Sequence, residues 1–83
     1  MQAGDIVRAT AGKDKGKVFL LISCGDGYGL IVNGRRRRVQ SPKKKSLKHL
    51  VLIATAVLPH PLTNKVVLKL LRPYTTQLFK EES

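Results

Sequence analysis

The chain has 83 residues, with 16 Lys and Arg against 5 Asp and Glu, a formal charge of +11 and a pI of about 10.5. That length fits one domain burying roughly 60–65% of its unfolded surface, and self-repulsion at such a charge calls for an anionic partner, nucleic acid before an anionic membrane surface. A single cysteine, Cys24, excludes an internal disulfide, no signal-peptide pattern opens the sequence, and the longest apolar run, Leu50 to Leu58, is about half a bilayer span, so a soluble, cytoplasmic protein is expected.

Ile6 to Thr10, bounded by Gly4 and Gly12, predicts a first strand. The turn after it holds Gly12 and Gly16 and, in alternation, Lys13, Lys15 and Lys17. Glycine takes positive φ, so this pair can bend the chain sharply and expose its N–H groups, ringed by ammonium groups, to a phosphate backbone. Lys17 to Ser23 predicts a second strand with Val18, Leu20 and Ile22 on one face and Phe19 and Leu21 on the other. Both faces are apolar. If the first set fills a barrel interior, the second needs an outer cover.

Cys24 to Gly29 reads as a glycine-rich hairpin turn into a third strand, Tyr28 to Asn33. Asn33-Gly34 is the strongest hairpin signal and returns the chain through a fourth strand, Arg35 to Gln40, which Pro42 ends. Strand alternation then points Arg36 and Arg38 outward and sets Arg35 and Arg37 beside the rim with Val39. Edge protection gains nothing from a guanidinium fork, whereas phosphate pairing and base stacking do, so all four arginines are candidate contacts. Lys43 to Lys48 predicts a basic loop that presents Lys43, Lys44, Lys45 and Lys48, and His49 to about Ala56 a fifth strand. His49 either donates to phosphate or packs at the strand start; Tyr28 either meets a base or is a half-buried strand tyrosine. Five short strands on tight turns point to a closed or nearly closed barrel, because closure removes exposed edges.

Pro59-His60-Pro61 breaks the chain, Thr63 or Asn64 caps a helix running to Arg72, and Pro73 stops it. Val67, Leu70 and Leu71 share the face expected to cover Phe19 and Leu21. Lys65, Lys69 and Arg72 read first as a solvated face, and secondly as an extension of a binding surface. Phe79 is expected to pack. The fold class is thus mainly β, a small five-stranded barrel over residues 1–58 with a C-terminal turn, amphipathic helix and tail over 59–83 packed on it. Twelve of the basic residues lie in residues 1–50 against three Asp, so binding chemistry belongs to the first fifty.

Gly4-Asp5-Ile6-Val7 followed by Gly12-Lys13-Asp14-Lys15-Gly16-Lys17 resembles the KOW motif of SH3-like barrels in ribosomal proteins and transcription elongation factors. The later Gly34-Arg-Arg-Arg-Arg38, Pro42-Lys-Lys-Lys45 and Lys48-His49-Leu50 are similar more narrowly to the fourteen-e family of archaeal and eukaryotic large-subunit ribosomal proteins and its small bacterial relatives. This resemblance, over residues 3 to about 52, implies an SH3-like barrel of the KOW type that binds ribosomal RNA or the large subunit. The residues fit that chemistry, since A-form RNA is recognised largely by shape, phosphates and 2′-hydroxyls.

Catalytic patterns fail. Gly12 to Val18 is one residue short of a nucleotide-binding P-loop and has no Ser or Thr after its lysine; Gly25 to Leu30 lacks the last glycine of a dinucleotide fingerprint. Cys24, His49 and His60 are too scattered for zinc, and Asp5, Asp14 and Asp26 fall at turns, where aspartate usually bonds its own backbone. No enzyme, cofactor or metal is expected. The leading expectation is a non-catalytic RNA-binding protein; the alternatives are a KOW protein-interaction module of a transcription or translation factor and a polybasic membrane-surface binder.

Overall fold

The computed structural model describes the backbone of residues 1–82 and the side chains of residues 1–75. Five strands, β1 (Asp5–Ala9), β2 (Val18–Gly25), β3 (Tyr28–Val32), β4 (Lys43–Ser46) and β5 (Leu50–Thr55), form one antiparallel sheet in the order β4-β3-β2-β1-β5. A single 3-10 turn, Leu47–His49, joins β4 to β5, and helix α1 (Asn64–Glu82) follows. The sheet is not closed: β4 and β5 remain its two edges.

Sheet and helix enclose two apolar clusters, one on each face of β2. Val7, Ala9, Phe19, Leu21, Ile31 and Leu50 form the first, with Leu47 of the 3-10 turn packed against them. Ile6, Val18, Leu20 and Val32 form the second together with Val67 and Leu71 of α1. The helix therefore covers the Val18 and Leu20 face, not the Phe19 and Leu21 face expected from the sequence. Alternation cannot distinguish two equally apolar faces; the connection out of β5 does. Between Val7 and Ile6 the β1–β5 register shifts, so that Val7 opposes Leu52 and Ile6 opposes Ala54. One extra residue on β5, Ile53, is thus accommodated as a bulge. Ile53, Ala54, Ala56, Leu58 and Leu62 then pack along the second cluster and lead the chain to that side.

Three further expectations are corrected. The stretch Arg35 to Gln40 is not a strand but a loop, and the fourth strand is formed by Lys43–Ser46, part of the stretch expected to be a basic loop. Asn33 explains the first change: its side-chain Oδ1 accepts the N–H groups of Arg35 and Arg37, both at 3.0 Å, which folds the chain back on itself. The freed stretch delays strand pairing until Lys43, which sits opposite Ile31. Finally, the helix does not stop at Arg72. Pro73 lies inside it, and the Thr75 hydroxyl, about three turns from the helix start, donates to the carbonyls of Leu71 and Arg72. Its N-terminus is as expected, since the Thr63 Oγ1 accepts the Val66 N–H at 3.2 Å. Packing of Phe79 and of the tail falls outside the described side chains.

Gly34 joins the arginine loop to the helix. It is buried, with φ 81°, and a Cβ placed on it would stand 2.7 Å from the Asn64 carbonyl oxygen and 2.9 Å from Leu68 Cγ. Gly16, at φ 86°, has nothing within 4 Å of the same position. Gly34→Ala is therefore expected to cost about 2–3 kcal/mol, strain plus a forced displacement of α1, and Gly16→Ala about 1 kcal/mol of backbone strain alone. Urea denaturation followed by circular dichroism ranks the two, and equal costs would remove the role given to Gly34.

Candidate functional site

The β1–β2 turn, residues 10–17, is held by its own backbone: Gly16 N–H donates to the Ala9 carbonyl at 2.8 Å, Lys15 N–H to Gly12 and Lys17 N–H to Asp14. The N–H groups of Lys15, Gly16 and Lys17 are thus consumed inside the turn, whereas those of Ala11, Gly12, Lys13 and Asp14 donate to no backbone carbonyl. The turn also presents side chains, with Lys13, Lys15 and Lys17 all exposed.

Opposite it lies β4, whose lysines divide by alternation. Lys43 Nζ donates to Asp14 Oδ2 at 2.6 Å, the one ion pair among the described residues, and Lys45 Nζ donates to the Ala11 carbonyl at 3.0 Å. Gly12 permits this second contact, because a Cβ there would stand 3.2 Å from Lys45 Nζ. Lys43 and Lys45 are accordingly half-buried ties between the edge strand and the turn, not the freely solvated loop lysines expected from the sequence. Lys44 alone is exposed, its ammonium 4.3 Å from the centre of the Tyr28 ring. That face of Tyr28 is covered by a cation. The ring atoms Cε1, Cζ and Oη also lie so close to Gly25 that a Cβ there would meet them at 2.9 Å. Neither contact leaves Tyr28 as an open base-stacking platform.

Asp14, expected to bond its own backbone, is instead the electrostatic centre of this region. Only 8% of it is exposed. The Lys43 hydrogen bond holds its carboxyl below the ordinary value of 3.8; burial opposes this, and the charges of Lys43, Lys45 and Lys17 add to it. Sequence reasoning missed the residue because a turn aspartate seldom needs a distant partner. The available signal was that Asp14 is the single acid between Lys13 and Lys15.

The arginine loop, residues 35–38, supplies the other wall. Beyond the two bonds to its side chain, Asn33 donates its own N–H to the Arg37 carbonyl at 2.8 Å. Asn64, at the start of α1, accepts the Val39 N–H at 2.7 Å and donates to Gln40 Oε1 at 2.8 Å. The loop is thus shaped by neutral amides, which leaves its guanidinium groups for other work. Arg35, Arg36 and Arg38 are exposed and Arg37 half-buried; the outward Arg36 and Arg38 versus rimward Arg35 and Arg37 expected of a strand does not hold. Arg38 Nε donates to the Arg35 carbonyl at 3.3 Å.

Between turn and loop lies a cleft of about 270 Å³, lined by Lys13, Lys17, Arg36, Arg37 and Lys43 together with Asp14, Asn33 and Phe19. Lys48 and His49 are exposed on the 3-10 turn, and the His49 carbonyl accepts the Thr10 N–H at 2.8 Å, which sets them next to the same β1 end. Lys15, Arg35, Arg38 and Lys44 lie outside the cleft lining. Compared with known proteins, the chain matches no family model and no curated sequence. Among the described residues no helix is long and apolar enough to cross a membrane.

Two lysines of β4 thus act as structural ties and one does not. Lys43→Met is expected to lower the unfolding free energy by about 1–3 kcal/mol and Lys44→Met by less than about 0.5 kcal/mol, measured by chemical denaturation. Asp14's folded pKa lies below its unfolded one, so the bond contributes fully above about pH 5 and less as the pH falls through the folded value. Wild-type stability should therefore drop more steeply than that of Lys43→Met between about pH 5 and pH 2. Parallel acid profiles would show that the ion pair contributes nothing to the fold.

Proposed function

We propose that this protein is a non-catalytic RNA-binding module, ribosomal or ribosome-associated, whose curled sheet is an SH3-like barrel of the KOW type and whose basic face grips the phosphates of structured ribosomal RNA. The strand order β4-β3-β2-β1-β5 and the 3-10 turn between the last two strands support the barrel reading. One observation carries the functional reading: segments far apart in sequence converge to place Lys13, Lys17, Arg36, Arg37 and Lys43 around one cleft, with a single carboxylate among them. Gathering five cations costs free energy that a polyanion recovers. A rigid wall of ammonium and guanidinium groups meets the shape and phosphates of an A-form helix without reading bases.

Exposed Lys15, Arg35, Arg38, Lys44, Lys48 and His49 widen the contact beyond the cleft. The alternative, a KOW protein-interaction module of a transcription or translation factor, has the edge strand β5 in its favour, where Val51 is 46% and Leu52 56% exposed. Charge favours RNA, because protein interfaces deplete lysine and this surface concentrates it.

The test is fluorescence anisotropy with a labelled ribosomal RNA hairpin across a series of KCl concentrations. Binding is expected to fall steeply with salt, by about 0.7–0.9 logarithmic units per neutralised phosphate, and Arg36→Ala with Arg37→Ala should flatten that slope by about one to two units. Absent or salt-independent binding, together with nuclease-resistant association with a protein partner, would sink the RNA reading and favour the alternative.

A further inference from the structure

Asp14 is the one carboxylate lining a cleft that otherwise presents cations. It does not cap its own turn. Its Oδ2 instead accepts from Lys43 Nζ at 2.6 Å, and Asp14 is only 8% exposed, within the field of Lys17 and Lys45. An anionic oxygen that accepts from an ammonium, in a cleft lined by further basic residues, is in the position a phosphate oxygen would take. The cleft, at about 270 Å³, has room for such a group and several waters beside the carboxylate.

We propose that the cleft between the β1–β2 turn and the arginine loop is an anchoring site for one phosphate group, and that the Asp14 carboxylate holds that group's place on Lys43 in the free protein. The proposal rests on the RNA reading and adds to it an exchange of anions. In the free state Asp14 relieves the mutual repulsion of Lys17, Lys43 and Lys45. On binding, the phosphate takes the Lys43 ammonium while Arg36 and Arg37 close on its remaining oxygens, a pairing suited to the guanidinium fork.

The carboxylate then acts as a threshold. It repels any anion entering the cleft, so a lone inorganic phosphate gains too little to displace it. An RNA backbone, held also by Lys15, Arg35, Arg38, Lys44 and Lys48 outside the cleft, brings its phosphate at a high effective concentration and does displace it. Asp14 is thus a specificity residue that favours phosphates carried on a polyanion.

The test compares the wild-type full chain with Asp14→Asn and Asp26→Asn, which change the net charge equally. Asp26 is exposed in the β2–β3 turn and outside the cleft. Asp14→Asn should bind the RNA hairpin about three- to tenfold tighter, with a salt slope steeper by about one ion, and should bind inorganic phosphate that the wild type does not hold. Asp26→Asn should stay within about twofold of wild type. In the wild-type protein the carbon-13 resonance of the Asp14 carboxyl should move saturably as hairpin is added, which decides the matter even if Asp14→Asn does not fold.

Equal affinities for the two variants, or an Asp14 resonance unmoved at saturating RNA, would overturn the proposal. Were the wild type to bind no RNA, the RNA reading would fall by itself. Phosphate binding to Asp14→Asn but not to the wild type would then still support an anion site held by Asp14, phosphate binding to both would assign it to a free phosphate and remove the threshold, and binding to neither would overturn both readings.

Discussion

The bond between Lys43 and Asp14 is the contact on which the rest of this surface depends. β4 is a four-residue edge strand of sequence Lys-Lys-Lys-Ser, a poor strand former whose like charges repel. Its ladder to β3 gives it a register, but it is the donation of Lys43 to Asp14 and of Lys45 to the Ala11 carbonyl that fastens it to the β1–β2 turn. Without that fastening the turn and the edge would be two separate basic protrusions. With it they form one wall, and the cleft has a fixed side.

The other wall is built on a different principle. No carboxylate within the described residues pairs with the arginine loop; Asn33 and Asn64 shape it through amide hydrogen bonds to backbone and to Gln40. Neutral amides hold the loop against the helix N-terminus without neutralising any guanidinium. Among the described residues one ion pair thus serves rigidity, and Lys13, Lys15, Lys17, Arg35, Arg36 and Arg38 stay exposed. Stability must come mainly from the two apolar clusters on either side of β2, each fully enclosed.

Much of this was legible in the sequence, and the failures have identifiable causes. β1, β2 and β3 follow from apolar alternation between glycine turns, and the helix start from Thr63 after the Pro59 to Pro61 break. The Asn33-Gly34 pair did mark a reversal, but the Asn33 side chain accepts the N–H groups of Arg35 and Arg37 and so withholds them from a ladder, and the strand expected at Arg35 becomes a loop. Three lysines do not look like a strand; only pairing with Leu30 and its neighbours makes them one. The side taken by α1 could not be read because Val18 and Leu20 are no more apolar than Phe19 and Leu21. The extra residue at Ile53, invisible to alternation, settled it. As for the candidate site, the basic segments were found but their division of labour was not, since nothing local tells a tying lysine from a free one.

That division changes how the proposed RNA interface should be understood. A chain with sixteen Lys and Arg invites the assumption that each contributes a phosphate contact, yet Lys45 is committed to a carbonyl and Lys43 to a carboxylate, and only Lys44 of the three is exposed. Two of the three lysines in the most obvious cluster of the sequence are therefore tied down in the fold. Affinity shifts to the exposed lysines of the β1–β2 turn and to the arginines, whose backbone is already ordered before any ligand arrives. Lys43 alone stands on both sides of this division. A ligand that takes it breaks the tie holding β4 to the turn, and so must replace that tie with its own contacts to both walls. On the proposed reading only an anion that bridges the cleft would do so, and the integrity of the edge strand would then be coupled to the shape of what is bound.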